Sequence, residues 1–178
     1  VNEIPIITIE DLAAYYAEHH HLGSDQQPEL EWANLPIDGN MWKIATYPAL
    51  RQRDHVLIAF NPEVKSQSTY LRIHSECFTG DVLGSQRCDC GDQLQLAMKT
   101  IVEKGSGYII YLRNHEGRGI GLAEKIKAYQ LQDQGMDTVD ANIALGHQVD
   151  AREWNDAVEI ISGLGLDYVV LMTNNPEK

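Results

Sequence analysis

From Met41 to Met172 short apolar runs of strand length are interleaved with stretches whose apolar residues recur every three or four positions. Strand-length runs need a second layer to close a core, and amphipathic helices have a single face to bury, so this order commits the chain to a sheet with helices packed on it. Residues 41–45, 55–60 and 69–74 read as strands and as antiparallel neighbours. In the last of these Leu71 and Ile73 alternate with Arg72 and His74. Leu94, Ala97, Met98, Ile101 and Val102 make a helical stripe closed by Gly105, and an apolar strand follows over 107–112. Leu122, Ile126, Tyr129 and Leu131 predict a second helix. Ala157, Ile160, Ile161 and Leu164 predict a third that ends at Gly163 or Gly165, before a last strand over 168–172. The predicted fold class is α/β in the mixed α+β sense: a mixed sheet with helices packed on it.

The 178 residues suit a single domain with a short appendage. Residues 1–30 are assigned to that appendage. Thr8 before Glu10 and Asp11 resembles a helix start, Ile9, Leu12, Ala13, Tyr16 and Ala17 recur at helical spacing, and a polar Gly/Pro linker follows His19, His20 and His21. The three histidines read as a solvated helix end, because adjacent residues do not share a helix face. Residues 31–178 are assigned to the domain that carries the chemistry. Lys and Arg number 14 against 26 Asp and Glu, a net charge of −12, which weighs against nucleic acid as a partner. No apolar run reaches the roughly 18 residues of a membrane span, and no basic flank precedes an apolar run at the amino end, so the expectation is a cytoplasmic protein off the membrane. The chain begins at Val1, not Met, which suggests that something has been removed upstream.

The chemistry-bearing residues gather in four places. All three cysteines, Cys77, Cys88 and Cys90, fall in one short window, a poor disulfide framework. Thiolates at this spacing offer three ligands of a tetrahedral zinc site whose open position would hold water; His74 as a fourth ligand would make the site structural, and free thiols are the alternative. Glu76, beside one ligand, suits a proton shuttle. The glycine-rich stretch R-N-H-E-G-R-G-I-G at 113–121 lies between a strand and a helix, where backbone N–H groups and a helix start favour anions. Arg113, Arg118, Lys125 and Lys127 crowd positive charge around it, as a phosphate site requires. Residues 137–152 read as a long polar functional loop, in which Asp150 and Arg152 by themselves read as a surface ion pair. Residues 173–176, T-N-N-P, follow the last strand, where α/β proteins place binding residues.

Taken together these strings resemble GTP cyclohydrolase II. The likeness rests on R-I-H-S-E-C-F-T-G-D at 72–81, R-C-D-C-G at 87–91, H-E-G-R-G-I-G-L at 115–122, A-Y-Q-L-Q-D at 128–133, D-T-V-D-A-N at 137–142 and T-N-N-P at 173–176, in the family's order. It implies zinc-dependent hydrolysis of GTP to 2,5-diamino-6-ribosylamino-4(3H)-pyrimidinone 5′-phosphate, formate and pyrophosphate, the opening step of riboflavin biosynthesis. It implies a catalytic zinc on Cys77, Cys88 and Cys90, Mg²⁺ on the phosphates, and a homodimer. It implies Arg152 as the nucleophile towards the α-phosphate, Asp150 as its activator and Tyr129 as an aid to proton transfer. Contacts to GTP are implied for Arg72, Ile73, His74, Ser75, Glu76, Gln93, Glu116, Gly117, Arg118, Thr138, Thr173 and Lys178. Glu116 would accept from the guanine N1 and N2 donors while Arg118 faces phosphate.

Residues 4–20 resemble the tail of a dihydroxybutanone phosphate synthase domain, the usual amino-terminal partner in bifunctional riboflavin proteins. The family continues past the position of Lys178 through a further strand and tail, so a missing carboxyl end is expected. Two rival readings follow. One is a catalytically silent paralogue that binds GTP or a partner protein. The other is a zinc deaminase, disfavoured because the later cysteines are spaced C-x-C rather than C-x-x-C.

Overall fold

The structure, a computed structural model, describes residues 28–48, 54–64, 69–166 and 168–173. The helix expected over 4–20 and the residue Lys178 lie outside the described residues.

Six strands form one sheet: β1 Ala33–Ile37, β2 Asn40–Tyr47, β3 His55–Phe60, β4 Thr69–Ser75, β5 Gly107–Leu112 and β6 Val169–Leu171, in the spatial order β1-β2-β3-β5-β4-β6. β1 to β3 make an antiparallel meander and β5 continues it antiparallel to β3; β4 pairs in parallel with both β5 and β6. The expectation that the strand at 69–74 lies antiparallel beside the one at 55–60 is therefore corrected. β5 is inserted between them, because the chain leaving β4 crosses over through helices and must return parallel to it. β1 is also new. It is short and half exposed, with a Pro at position 36, a residue tolerated at a sheet edge.

Alternation along the strands divides the core between the two faces of the sheet. Leu57, Leu71, Ile73, Ile110 and Leu112 point to one face, with Ala157 and Ile160 of helix Asn155–Gly163 packed on them. Trp42, Ile109 and their neighbours point to the other, covered by Ile101 of helix Cys90–Lys104. That helix ends as its sequence predicts: Gly105 takes φ 90° and its N–H returns to the carbonyls of Ile101 and Val102.

We number the helices α1 Phe78–Asp81, α2 Cys90–Lys104, α3 Leu122–Asp133, α4 Thr138–Ala144 and α5 Asn155–Gly163, with a 3₁₀ turn at Glu116–Gly119 before α3. Helix α4 falls where a polar loop was expected. Asp137 caps it, its carboxylate accepting from Asp140 N at 2.8 Å, and Ala141 and Asn142 bury one side of so short a helix. Helix α5 is tied to the sheet by His55, which accepts from Arg113 N–H at 3.3 Å on Nδ1 and reaches Asp156 at 2.7 Å through Nε2. No helix among the described residues is long and apolar enough to cross a membrane.

Candidate active site and metal centre

Parallel β4, β5 and β6 all end at one edge of the sheet, the place where open α/β sheets bind ligands. There the segments after β4 and β5 open a cavity of about 850 Å³ whose lining includes Arg72, Arg87, Arg118, Arg152 and all three cysteines.

The cysteines come together because two chain reversals meet. Cys77 precedes α1, Cys90 opens α2, and Cys88 sits in the turn between them. Gly80 makes the approach possible: a Cβ there would stand 3.0 Å from Cys88 Sγ and 3.2 Å from Cys77 Sγ. The three sulfurs lie within 4.8 Å of one another, with Cys77 and Cys88 at 3.4 Å. A tetrahedral zinc at about 2.3 Å from each sulfur sets them roughly 3.8 Å apart, so the residues present fit the ion. The cluster is consistent with a zinc site. His74 does not complete it, since its Nε2 faces Asp81 Oδ1 at 3.1 Å and the metal-capable group among the described residues is the three cysteines alone.

Crowding three thiols splits their acidity. Cys77 is pulled down to about 4, first by the hydrogen bond from Cys90 and then by Lys125 and the Gly80 N–H, against the opposing effect of burial. Cys90 is pushed up, chiefly by that same hydrogen bond to Cys77, and Cys88 is pushed up by burial. A divalent cation held by Cys77, Cys88 and Cys90 would remove the conflict by drawing all three to the thiolate.

The glycine-rich turn builds the opposite wall. Gly117 and Arg118 both adopt φ 62°, so an arginine sits in the left-handed region that favours glycine, a strain characteristic of functional loops. The carbonyl of Arg118 is thereby turned to accept from Ala151 N at 3.0 Å, and a Cβ on Gly119 would meet the Ala151 backbone at 3.0 Å. This docking delivers Arg152. Its Nε lies 2.9 and 3.1 Å from the two oxygens of Asp150, its Nη2 also pairs with Asp150, and its Nη1 reaches Ser75 Oγ at 3.4 Å. Ser75 in turn meets His115 Nδ1 at 3.1 Å, and His115 Nε2 donates to the Glu153 carbonyl at 2.9 Å. That donation fixes the tautomer, so Ser75 O–H donates to His115 and Ser75 Oγ accepts from Arg152.

Across the cavity, Arg87 lies over the Tyr129 ring at 4.5 Å and pairs with Asp133, while the Tyr129 hydroxyl meets Thr79 Oγ1 at 3.1 Å. Arg72 donates to the Met172 carbonyl and to Gln93, whose amide donates to Asp89 at 2.6 Å. Two buried atoms of cavity-lining side chains, Arg72 Nε and His74 Nδ1, have no hydrogen-bond partner among the described residues. One is a donor and the other, with Nε2–H given to Asp81, a bare acceptor, as a polar ligand would use.

A family model for GTP cyclohydrolase II matches residues 29–178. The chain belongs to that family. The chain is 43% identical over 178 residues to the probable monofunctional riboflavin biosynthesis protein RIBA 3, chloroplastic, of Oryza sativa subsp. japonica, covering 99% of this chain and 32% of the relative. It is 42% identical to the riboflavin biosynthesis proteins RibBA of Chlamydia trachomatis and Bacillus cytotoxicus, covering 99% of this chain and 41% and 43% of those proteins. The chain thus spans less than half the length of these curated relatives.

Of the residues that the cyclohydrolase resemblance assigns to GTP contacts, the structure brings Arg72, His74, Ser75, Glu76, Gln93, Gly117, Arg118 and Thr138 to the one cavity, together with Tyr129, Asp150 and Arg152, to which it assigns catalysis. Ile73 turns its side chain to the opposite face, into the core under α5. Glu116 is buried, with Oε1 on Lys125 at 2.6 Å and Oε2 accepting from Phe78 N–H at 2.6 Å, and is not among the residues that line the cavity. Thr173 is exposed one residue beyond the Met172 carbonyl that holds Arg72. The expected cationic cluster also reassembles. Lys125 turns to the metal site and Lys127 pairs with Glu124 at 2.7 Å in solvent, while Arg72, Arg87 and Arg152 join Arg118 from other segments. Sequence reasoning assigned no role to Arg87 and none to His115, although both stand inside the strings that carry the likeness.

Proposed function

We propose that this chain hydrolyses GTP to 2,5-diamino-6-ribosylamino-4(3H)-pyrimidinone 5′-phosphate, formate and pyrophosphate. One observation carries the reading: three sulfurs within 4.8 Å of one another stand on the wall of a cavity that four arginines also line. Cys77, Cys88 and Cys90 would hold zinc, which supplies an acidified water for opening the imidazole ring at C8. The arginines and, in this reading, Mg²⁺ receive the triphosphate.

Asp150 holds the Nε edge of Arg152 and leaves Nη1 on Ser75, so the guanidinium stands oriented for the α-phosphate, where the family resemblance makes it the nucleophile. In the same reading Tyr129, with Arg87 above its ring and Thr79 at its hydroxyl, hands on a proton at the purine. His74 Nδ1 and Arg72 Nε accept from and donate to the bound nucleotide. Glu116 accepts from Gly117 N–H and holds the turn from which Gly117 and Arg118 face the nucleotide in this reading. Gln93, Glu76, Thr138, Thr173, Lys178 and the backbone of Ile73 complete the contacts. A homodimer is part of the reading. So is a cytoplasmic location, in keeping with three reduced thiols at the centre.

The test is to incubate the chain with GTP, Mg²⁺ and Zn²⁺ and to assay formate and pyrophosphate together. Equal release of both is expected, with Cys88→Ser losing formate and Arg152→Ala losing pyrophosphate. GTP and zinc bound without either product would overturn the catalytic assignment and leave a nucleotide-binding role.

A further inference from the structure

The resemblance assigns Lys125 nothing, and the loop's sequence suggests a phosphate ligand. Its position is different. The Nζ lies 3.0 Å from Cys77 Sγ and 2.6 Å from Glu116 Oε1, and the Lys125 and Glu116 side chains are only 11% and 8% exposed. An ammonium carries three donors and is costly to bury without partners. Glu116 alone would neutralise it, yet one donor is spent on sulfur. Glu116 is engaged in the same direction: its other oxygen takes the N–H of Phe78, the residue after Cys77, and Oε1 takes Gly117 N–H at 3.1 Å.

We propose that Lys125, seated by Glu116, is a positioning residue for the metal centre: it fixes the Cys77 sulfur and joins the glycine-rich turn to the ligand set. The inference rests on the metal-centre reading above. Its charge bookkeeping is simple: three thiolates around a divalent cation leave one surplus negative charge in a partly buried site. Glu116 adds a second, and Lys125 returns the total to one. An N–H donor also fixes the direction of the sulfur's remaining lone pairs before metal arrives, so less ordering is left to the binding step. Partners of this outer kind commonly contribute about ten- to a hundredfold in metal affinity. The turn packs closely on this residue: a Cβ on Gly117, which takes φ 62°, would stand 3.0 Å from Ile120 Cγ1 and 3.1 Å from the Cβ of Lys125.

The experiment compares the whole chain with its Lys125→Met variant by competition for Zn²⁺ against a chromophoric chelator, and by the thiolate-to-metal absorption of the Co²⁺-substituted proteins. Zinc binding weakened by about ten- to a hundredfold, with an altered cobalt spectrum in a folded variant, is the expected result. Unchanged affinity and an unchanged cobalt spectrum in folded Lys125→Met overturn the proposal. Should that variant fail to fold, Glu116→Gln carries the test, because it keeps the ammonium and an acceptor for Phe78 N–H. A smaller loss of the same sign supports the proposal, and no change overturns it. A wild-type chain that takes up no zinc overturns the metal centre and this inference together, whereas zinc-binding wild type with indifferent variants overturns this inference alone.

Discussion

Asp81 shows how one side chain holds this site together. Its carboxylate, 4% exposed, accepts from His74 at 3.1 Å, from Tyr111 O–H at 2.7 Å and from Cys77 N–H at 2.9 Å. Burial works to raise its pKa, but the hydrogen bonds from His74 and Tyr111 and from Cys77 N–H together outweigh it and hold the carboxyl below its ordinary value. A depressed folded pKa contributes stability that is complete above the unfolded value of about 3.9 and is lost as pH falls below it through the folded value. Asp81→Asn should therefore lower unfolding free energy at neutral pH by about 1.5–3 kcal/mol. Its acid limb, measured by denaturant melts of zinc-free protein, should be shallower below pH of about 3.9 than that of wild type. Parallel limbs would remove Asp81 from this account. Asp81 stands in the first string that carries the family likeness, but nothing in that string says that a distant Tyr111 completes its shell.

At the scale of elements, the turn at Glu116–Gly119 and the segment that brings Arg152 act as one unit. Gly119 combines φ 90° with backbone contact to Ala151, so a methyl group there is strained and also pushes the docked segment away. Gly119→Ala is expected to reduce pyrophosphate release at least tenfold while zinc content, measured by metal analysis, stays at the wild-type level. Arg118→Gly tests the strain from the other side. It should raise Tm slightly by relieving the positive φ and weaken GTP binding by removing a cation, a trade read by thermal melts beside nucleotide titration. Elements differed in how legible they were. Helix α2 announces itself through its stripe and Gly105, because both are local. Helix α4 hides, because seven residues, barely two turns, have little period to read and the Asp137 cap makes the helix.

Across the whole molecule, a chain of net charge −12 places four arginines around one cavity. If the proposed reaction holds, attraction for GTP is a local field set against an unfavourable global one, so KM for GTP should rise as salt is added, more steeply than the stability of the fold changes. Zinc on the three cysteines would couple the site to the fold as well. Removing it with a chelator should lower Tm in proportion to its binding free energy, and Cys88→Ser should show no such response. The core beneath is separate in effect: Ile110→Ala, at a fully buried position, should cost about 2–5 kcal/mol in denaturant unfolding and leave zinc stoichiometry at one per folded chain.

What the sequence determined by itself is what short-range chemistry encodes. Hydrophobic period set the strands and main helices, Gly105 closed α2, and Cys77, Cys88 and Cys90 stand close enough along the chain to be read as one ligand set. The family strings added the family. Tertiary structure decided what depends on the path of the chain through space. It inserted β5 between β3 and β4, turned Ile73 away from the site, took Lys125 from phosphate to sulfur, and laid Arg152 against Ser75, 77 residues earlier. The physical reason is common to all four. Which face of a strand is covered, and which buried charge finds which partner, is settled by burial and desolvation in the assembled layers, and no local period carries that information.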